Sequence, residues 1–286
     1  MSATTQPTAL PHPPVPVLRI TPPTRWWVVS FAELWDFREL VYFFVWRDVK
    51  IRYKQTAIGA AWAVLQPLLM MLIFSLFFGK LGNLGSDGLP YPIFYYSALL
   101  PWMYFAAALQ NSTNTIVENQ RLITKVYFPR LALPLSSVLS GLVDFGVSFL
   151  MFVVLMIYYR THPSPALVWF PAFLLLAVLL ALGVGLWLSA MNAIYRDVRY
   201  VLPFLVQFWL FASPVVYPSS RVPVKWRWLY GLNPMAGVIE GFRWSLTGRG
   251  NPPGHLLYVS AAMVVIVLVS GVAYFQKMET TMADVA

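Results

Sequence analysis

Long stretches without charge constrain this chain more than any other feature. Residues 55–79, 88–117, 161–195, 200–220 and 250–276 contain no Asp, Glu, Lys or Arg, and residues 131–159 contain only Asp144. A helix needs about 20 mostly apolar residues to cross the hydrocarbon core of a bilayer. Pro163, Pro165 and Pro171 push the fourth crossing late in its window, and Pro214 and Pro218 close the fifth. The windows therefore predict six spanning helices, at about 57–79, 93–114, 134–158, 169–190, 200–213 and 256–276. The apolar runs are continuous rather than alternating, which excludes a membrane β-barrel. The expected fold class is an all-α integral membrane protein, and 59 % hydrophobic against 11 % charged residues agrees with it; soluble domains run near ~45–50 % and ~25 %.

Lys and Arg counts set the expected orientation. With both termini in the cytoplasm, the inner segments hold 13 of the 20 basic residues, and the two short outer loops hold only Lys80 and Arg160. That is the positive-inside asymmetry. The segment between spans five and six holds the remaining five, Arg221, Lys225, Arg227, Arg243 and Arg249, and breaks the pattern. A net charge of +9 is accounted for by cytoplasmic flanks and anionic lipid, so no nucleic-acid partner is expected. Residues 1–24 carry seven prolines and lack the cationic start and apolar core of a signal peptide. Residues 1–30 are expected to be a disordered cytoplasmic tail, followed by a single transmembrane domain over 31–286.

Three segments are neither spans nor ordinary loops. In residues 31–54, Leu34, Phe37, Val41, Phe44 and Val45 follow helical spacing, while charges interrupt the run too often for a crossing. This is the pattern of an amphipathic helix in the membrane interface, either a lipid anchor feeding span one or a gate at the cytoplasmic entrance. The cytoplasmic segments 115–133 and 191–200 read either as solvated loops or as docking helices for a cytoplasmic partner. Residues 214–249 are cut by Pro214, Pro218, Pro223 and Pro234 into two short helical pieces, near 224–231 and 235–246. Neither can cross, so they are expected to be re-entrant or interfacial helices at the outer face, a plain flap or an outer gate.

Asp144 is the one formal charge inside a predicted span. A carboxylate there costs about 2.5–3.5 kcal/mol on insertion scales. It reads as a proton-coupling group, as a helix-packing hydrogen-bond partner for Ser or Asn groups, or as a site nearer one interface than the middle of the bilayer. Ala177, Ala181, Gly185 and Ser189 repeat every fourth residue along span four, a small-residue stripe for close helix packing. Trp62, Phe74, Phe77, Tyr104, Phe105, Phe204, Phe208 and Trp209 fall inside spans. Each can face lipid, pack in the core, or line a pore along which a sugar slides on its C–H faces. With no cysteine, scattered histidines and no G-x-x-x-x-G-K-[ST] loop, the chain has no metal site and hydrolyses no nucleotide itself.

The run from Trp46 through Arg47-Asp48-Val49-Lys50-Ile51-Arg52-Tyr53-Lys54 to Gly59 resembles the approach to span one in ABC-2 type polysaccharide export permeases. Gln66-Pro67, Phe128-Pro129-Arg130, Tyr195-Arg196-Asp197-Val198-Arg199, Ser213-Pro214-Val215-Val216-Tyr217 and Asn233-Pro234 are similar to the same family in the same order. The resemblance covers about residues 31–277. It implies a homodimer in the bacterial inner membrane with two copies of a nucleotide-binding ATPase, which holds ATP and Mg; no cofactor is expected on this chain. The implied cargo is a lipid-linked polysaccharide such as an O-antigen. Helices at 116–128 and 192–200 would couple to the ATPase through Glu118, Asn119, Arg121, Leu122, Tyr127, Tyr195, Arg196 and Asp197. A lipid diphosphate would dock at an entrance gate of Arg47, Lys50, Arg52 and Lys54, and the pore aromatics would be Trp62, Phe74, Phe77, Tyr104, Phe204, Phe208 and Trp209. Tyr217, Trp226, Trp228 and Tyr230 would form the outer gate. The rival readings are an ABC-2 exporter of a small drug or lipid, a proton-coupled carrier using Asp144, and a membrane-embedded glycosyltransferase.

Overall fold

A computed structural model describes residues 31–54, 57–249 and 254–285. The expected tail at 1–30 lies outside the described residues. Every regular element described is helical. Helices α1 (Phe31–Asp36) and α2 (Arg38–Lys54) precede α3 (Ala57–Phe74), which runs on as a π-helix over Ser75–Leu81. Then come α4 (Tyr91–Glu118), α5 (Gln120–Ile123), α6 (Ala132–Tyr158) and α7 (Phe170–Ile194), the last led in by a 3-10 turn at Pro165–Trp169. Helix α8 (Val198–Ala212), α9 (Arg227–Gly231), α10 (Pro234–Thr247) and α11 (His255–Val285) complete the chain.

Five helical stretches are long and apolar enough to cross a membrane: Ala61–Leu81, Tyr91–Glu118, Ala132–Tyr158, Pro165–Ile194 and His255–Glu279. The sixth expected crossing is shorter. Helix α8 has 15 residues, a rise of about 22 Å against a hydrocarbon core of about 30 Å. It ends because Ser213 turns extended and Pro214 has no N–H to continue the ladder.

Two expected connector helices also differ. No single helix occupies 116–128: α4 continues to Glu118, Asn119 leaves helical geometry at φ −101°, and α5 is one turn. Nor is 192–200 a separate helix, since α7 runs to Ile194, three residues turn, and α8 starts at Val198. The proline-cut pieces match better. The 3-10 turn Val224–Trp226 feeds α9, and α10 follows. Asn233 caps α10 by accepting from the Met235 N–H at 3.1 Å, and Gly248 ends it in the left-handed region at φ 67°.

Helix α4 is the hub. Within its most apolar 18 residues 78 % are buried in the subunit, against 17–33 % for the other four long stretches. It packs against α3, α6, α7, α8 and α10. Around it α3 packs on α6, α6 on α7 and α7 on α8. Small residues let these backbones approach. Gly185, in the four-residue stripe, lies flush with the Ser112 side chain of α4. Gly183 sits on the backbone of Leu268, and Gly271 faces the Gly183 carbonyl, locking α7 to α11. A Gly271→Ala change puts a methyl group into that carbonyl, an overpacking cost of about 1–3 kcal/mol. The expected result is a lower thermal unfolding midpoint in detergent, whereas Gly146→Ala, which meets open space, leaves the midpoint unchanged.

Candidate functional site: the base, the groove and the crown

Call the base the end of the bundle where α4 gives way to α5 and α6, and the crown the end carrying α9 and α10. At the base, α2 is packed rather than free. Val41 and Phe44 are buried with Ile116, Phe128, Ala132, Leu133 and Phe275, and Phe44 meets Phe128 edge-on at 5.6 Å. From there α2 runs along α6. Arg52 forms an ion pair with Asp144, and the Tyr53 hydroxyl donates to the other carboxylate oxygen. Asp144 stands twelve residues into α6, about 18 Å along its axis. Burial, and then the bond to Asp144, push the Tyr53 phenol up to about 12, so it remains a donor at neutral pH.

This corrects the expectation of a Ser or Asn partner for Asp144. Its partners are a cation and a phenol from α2, and the group serves to hold α2 to α6. The four basic residues expected at the entrance divide accordingly. Arg52 is taken by Asp144. Arg47 pairs with Asp48 at 2.9 Å, lies 4.9 Å over the Phe44 ring, and donates to the Asn119 side chain at 2.9 Å. Lys50 and Lys54 are exposed, beside exposed Tyr42, Phe43, Trp46 and Ile51.

The Arg47–Asn119 bond joins two groups of residues that the sequence treats separately, the entrance helix and the α4–α6 connector. Asn119 in turn donates to the Thr115 carbonyl at 2.8 Å. Along the connector Glu118, Arg121 and Tyr127 are exposed, while Leu122 is half-buried in the base cluster. Tyr195, Arg196 and Asp197 are exposed on the α7–α8 turn. The two connectors leave helix ends that are pinned together: buried Asn192 donates to the Thr113 carbonyl at 3.0 Å and to Asn114 Oδ1 at 3.3 Å. Sequence reasoning missed Asn192. Its only signal was an asparagine one turn after a buried small residue, Ser189, on an apolar helix.

Around α4, α3 packs on α6, α6 on α7 and α7 on α8, while α3 and α8 do not pack closely on each other among the described residues, so we take the side between them, with α4 as its floor, as a groove. Met103, Ala106 and Ala107 of α4 are only partly covered, although the helix is otherwise the most buried of the long ones. The predicted pore aromatics separate into two sets. Trp62 and Phe77 on α3 and Phe204 and Phe208 on α8 are exposed. Phe74 and Tyr104 are instead sealed in the subunit core, Phe74 against Tyr95 at 5.9 Å and Tyr104 against Phe145 at 5.9 Å. They offer a passing molecule no surface in this conformation. Trp209 is half-buried, edge-on to Phe105 at 5.1 Å, and its indole donates to Asn233 at 2.8 Å.

At the crown, Asn233 ties three elements together. Besides capping α10 and accepting from Trp209, it donates to the Ala212 carbonyl and the Ser213 hydroxyl, both at 3.0 Å. Arg243 of α10 is buried, lies 3.8 Å over the Phe94 ring and donates to the Pro214 carbonyl at 2.9 Å. Burial lowers its guanidinium to about 10, against the pull of Glu240 and Asp87, so it stays cationic at neutral pH. Tyr230 donates to Tyr217 at 3.3 Å, whereas Trp226 and Trp228 are exposed. The loop 82–90 is clasped to this segment through Ser220 on Asp87 at 3.0 Å and Arg249 on the Gly88 carbonyl at 3.1 Å.

Such a build, several apolar helices around a groove with charged connectors at one end, defines a multi-pass membrane permease domain. The chain belongs to the ABC-2 type transporter family, whose model matches residues 39–247. It is 29 % identical over 254 residues to the O-antigen export system permease protein RfbA of Myxococcus xanthus, covering 88 % of this chain and 97 % of that protein. It is 28 % identical to the protein of the same name from Klebsiella pneumoniae over 84 % of this chain and 92 % of that one. Similarity to the polysialic acid transport protein KpsM of Escherichia coli is 24 %, over 82 % and 92 % of the two chains.

The Asp144 arrangement is testable by charge exchange. Asp144→Asn removes the Arg52–Asp144 ion pair and is expected to lower stability by about 1–3 kcal/mol. The exchange Arg52→Asp with Asp144→Arg should recover part of that loss, read as the unfolding midpoint in detergent.

Proposed function

We propose that this chain is the conduit-forming subunit of an ATP-driven exporter that moves a lipid-linked, O-antigen-like polysaccharide across the bacterial inner membrane. The observation that carries the reading is end-to-end similarity to permeases named for O-antigen export, over 97 % and 92 % of their lengths. The wide, aromatic-edged groove supports it, because a single subunit of this shape makes only one wall of a pore. Two copies related by a two-fold axis would close their grooves on each other. Helix α8, together with the turn at 213–217, would make the sixth crossing, with both termini on the cytoplasmic side and α9 and α10 dipping into the outer face.

The chain lacks a nucleotide-binding loop, so fuel must be consumed on a companion ATPase, two copies per dimer. The exposed residues Glu118, Arg121 and Tyr127, with Tyr195, Arg196 and Asp197, are its docking surface in this reading. A push on that surface has a physical route onward. Asn119 is bonded to Arg47, and α2 is bonded through Arg52 and Tyr53 to Asp144 on α6. Movement of the connector is thereby passed to the entrance helix and to a long helix together. Of the four entrance residues, Lys50 and Lys54 are the exposed cations that would receive a diphosphate headgroup, since Arg47 and Arg52 have protein partners. At the far end, the Tyr217–Tyr230 pair and the Arg243 latch on Pro214 would have to yield for the glycan to leave.

An exporter of small drugs or lipids on the same family fold would need neither glycan supply nor surface display. Arg121 is exposed, so Arg121→Glu leaves folding intact while reversing the charge of the docking surface. The expected outcome is several-fold less surface glycan with normal membrane levels and weaker co-purification of the ATPase. Unchanged ATPase pairing and unchanged export in that variant would contradict the docking assignment.

A further inference from the structure

Resting on the polysaccharide reading, we infer that Gln66, Gln110 and Gln207 are the polar contacts by which the groove handles a polyhydroxylated chain. The outward surfaces of the apolar helices fall into two classes. Away from their terminal turns, the exposed side chains of the spanning stretches Ala132–Tyr158, Pro165–Ile194 and His255–Glu279 are apolar, as at Val143, Leu150, Val154, Leu175, Val265 and Val269. Those faces suit lipid. The exposed faces of α3, α4 and α8 each carry one glutamine instead, Gln66, Gln110 and Gln207. These three helices are the two walls and the floor of the open groove.

Depth makes the distinction physical. Gln66 lies five residues inside Ala61, Gln110 eight residues from Glu118 and Gln207 five residues from Ala212. At about 1.5 Å per residue each stands about 8–12 Å from the nearer end of its stretch. A primary amide without a hydrogen-bond partner in hydrocarbon costs roughly 2–7 kcal/mol. Three such groups at exposed positions of one subunit need a wet or hydroxylated neighbour. Each amide offers two donors and an acceptor, which matches the mixed donor and acceptor character of sugar hydroxyls. Being neutral, it does not hold a passing chain by charge. Aromatic rings share the same strips: Trp62 is one turn before Gln66, and Phe204 and Phe211 flank Gln207 at helical spacing, all exposed. Ring faces for C–H surfaces alternating with amides for hydroxyls suit a neutral glycan that must slide.

The chain contains no cysteine, so single thiols report cleanly. In membranes holding the full chain, Gln66→Cys, Gln110→Cys and Gln207→Cys should react with a charged, membrane-impermeant methanethiosulfonate at least about ten-fold faster than Val154→Cys and Val269→Cys, because only the first set meets water. Equal rates at both sets, or unreactive thiols at 66, 110 and 207 as packing against lipid or a second copy would give, overturn the inference even where the parent exports glycan. In cells, Gln110→Leu and Gln207→Leu should each lower periodate-stained surface glycan about five-fold at unchanged membrane level, one hydrogen bond's worth, with Gln→Asn recovering most of it. Leucine variants that match the parent overturn the contact. A parent that places no glycan on the surface while its three sites still label overturns the polysaccharide reading, and with it the glycan as occupant.

Discussion

A hydrocarbon solvent offers no hydrogen bonds, so every polar side chain within this bundle must find another polar group or water. That requirement decides where the helices are fastened. Asp144 takes Arg52 and Tyr53, Asn192 takes the Thr113 carbonyl, Arg243 takes the Pro214 carbonyl, and Asn233 gathers Trp209, Ser213 and Ala212. Between these points, contact is made by close-packed apolar and small residues, as at Gly183 and Gly271. The result is a close-packed bundle with polar clasps toward both ends and, at Asp144, midway along α6.

The asymmetry around α4 follows from the same packing. Five helices, α3, α6, α7, α8 and α10, pack on it, and α3 and α8 do not close on each other among the described residues. Burial of Phe74 and Tyr104 stiffens the walls from within, while Trp62, Phe77, Phe204 and Phe208 are left on the outside. An aromatic residue in a span can thus be a strut or a surface, and its neighbours in space decide which.

That is also why the sequence disclosed some features and not others. Helix positions were readable because charge-free windows and prolines mark them locally: Asn233-Pro234 starts α10 where the proline pattern implied. The small-residue stripe of α7 was readable for the same reason, since four-residue spacing is a local signal. The partner of Asp144 was not, because Arg52 lies 92 positions away and sits in a helix that reads as lying flat on the membrane. The Asn192 clasp spans 79 positions and was equally hidden. The connector at 116–128 reads as one helix by periodicity, yet Asn119 breaks it where its side chain bonds back to Thr115 and accepts from Arg47. Long-range polar contacts, rather than local propensity, set these details, and no periodicity encodes them.

The account assigns the conduit to this chain and the energy to a companion. The most direct measurement is translocation of lipid-linked glycan in liposomes reconstituted with the purified chain, with and without a nucleotide-binding ATPase partner. The account predicts ATP-dependent transfer of glycan across the bilayer only when both proteins are present. Sustained, energy-dependent transfer by this chain alone would contradict it.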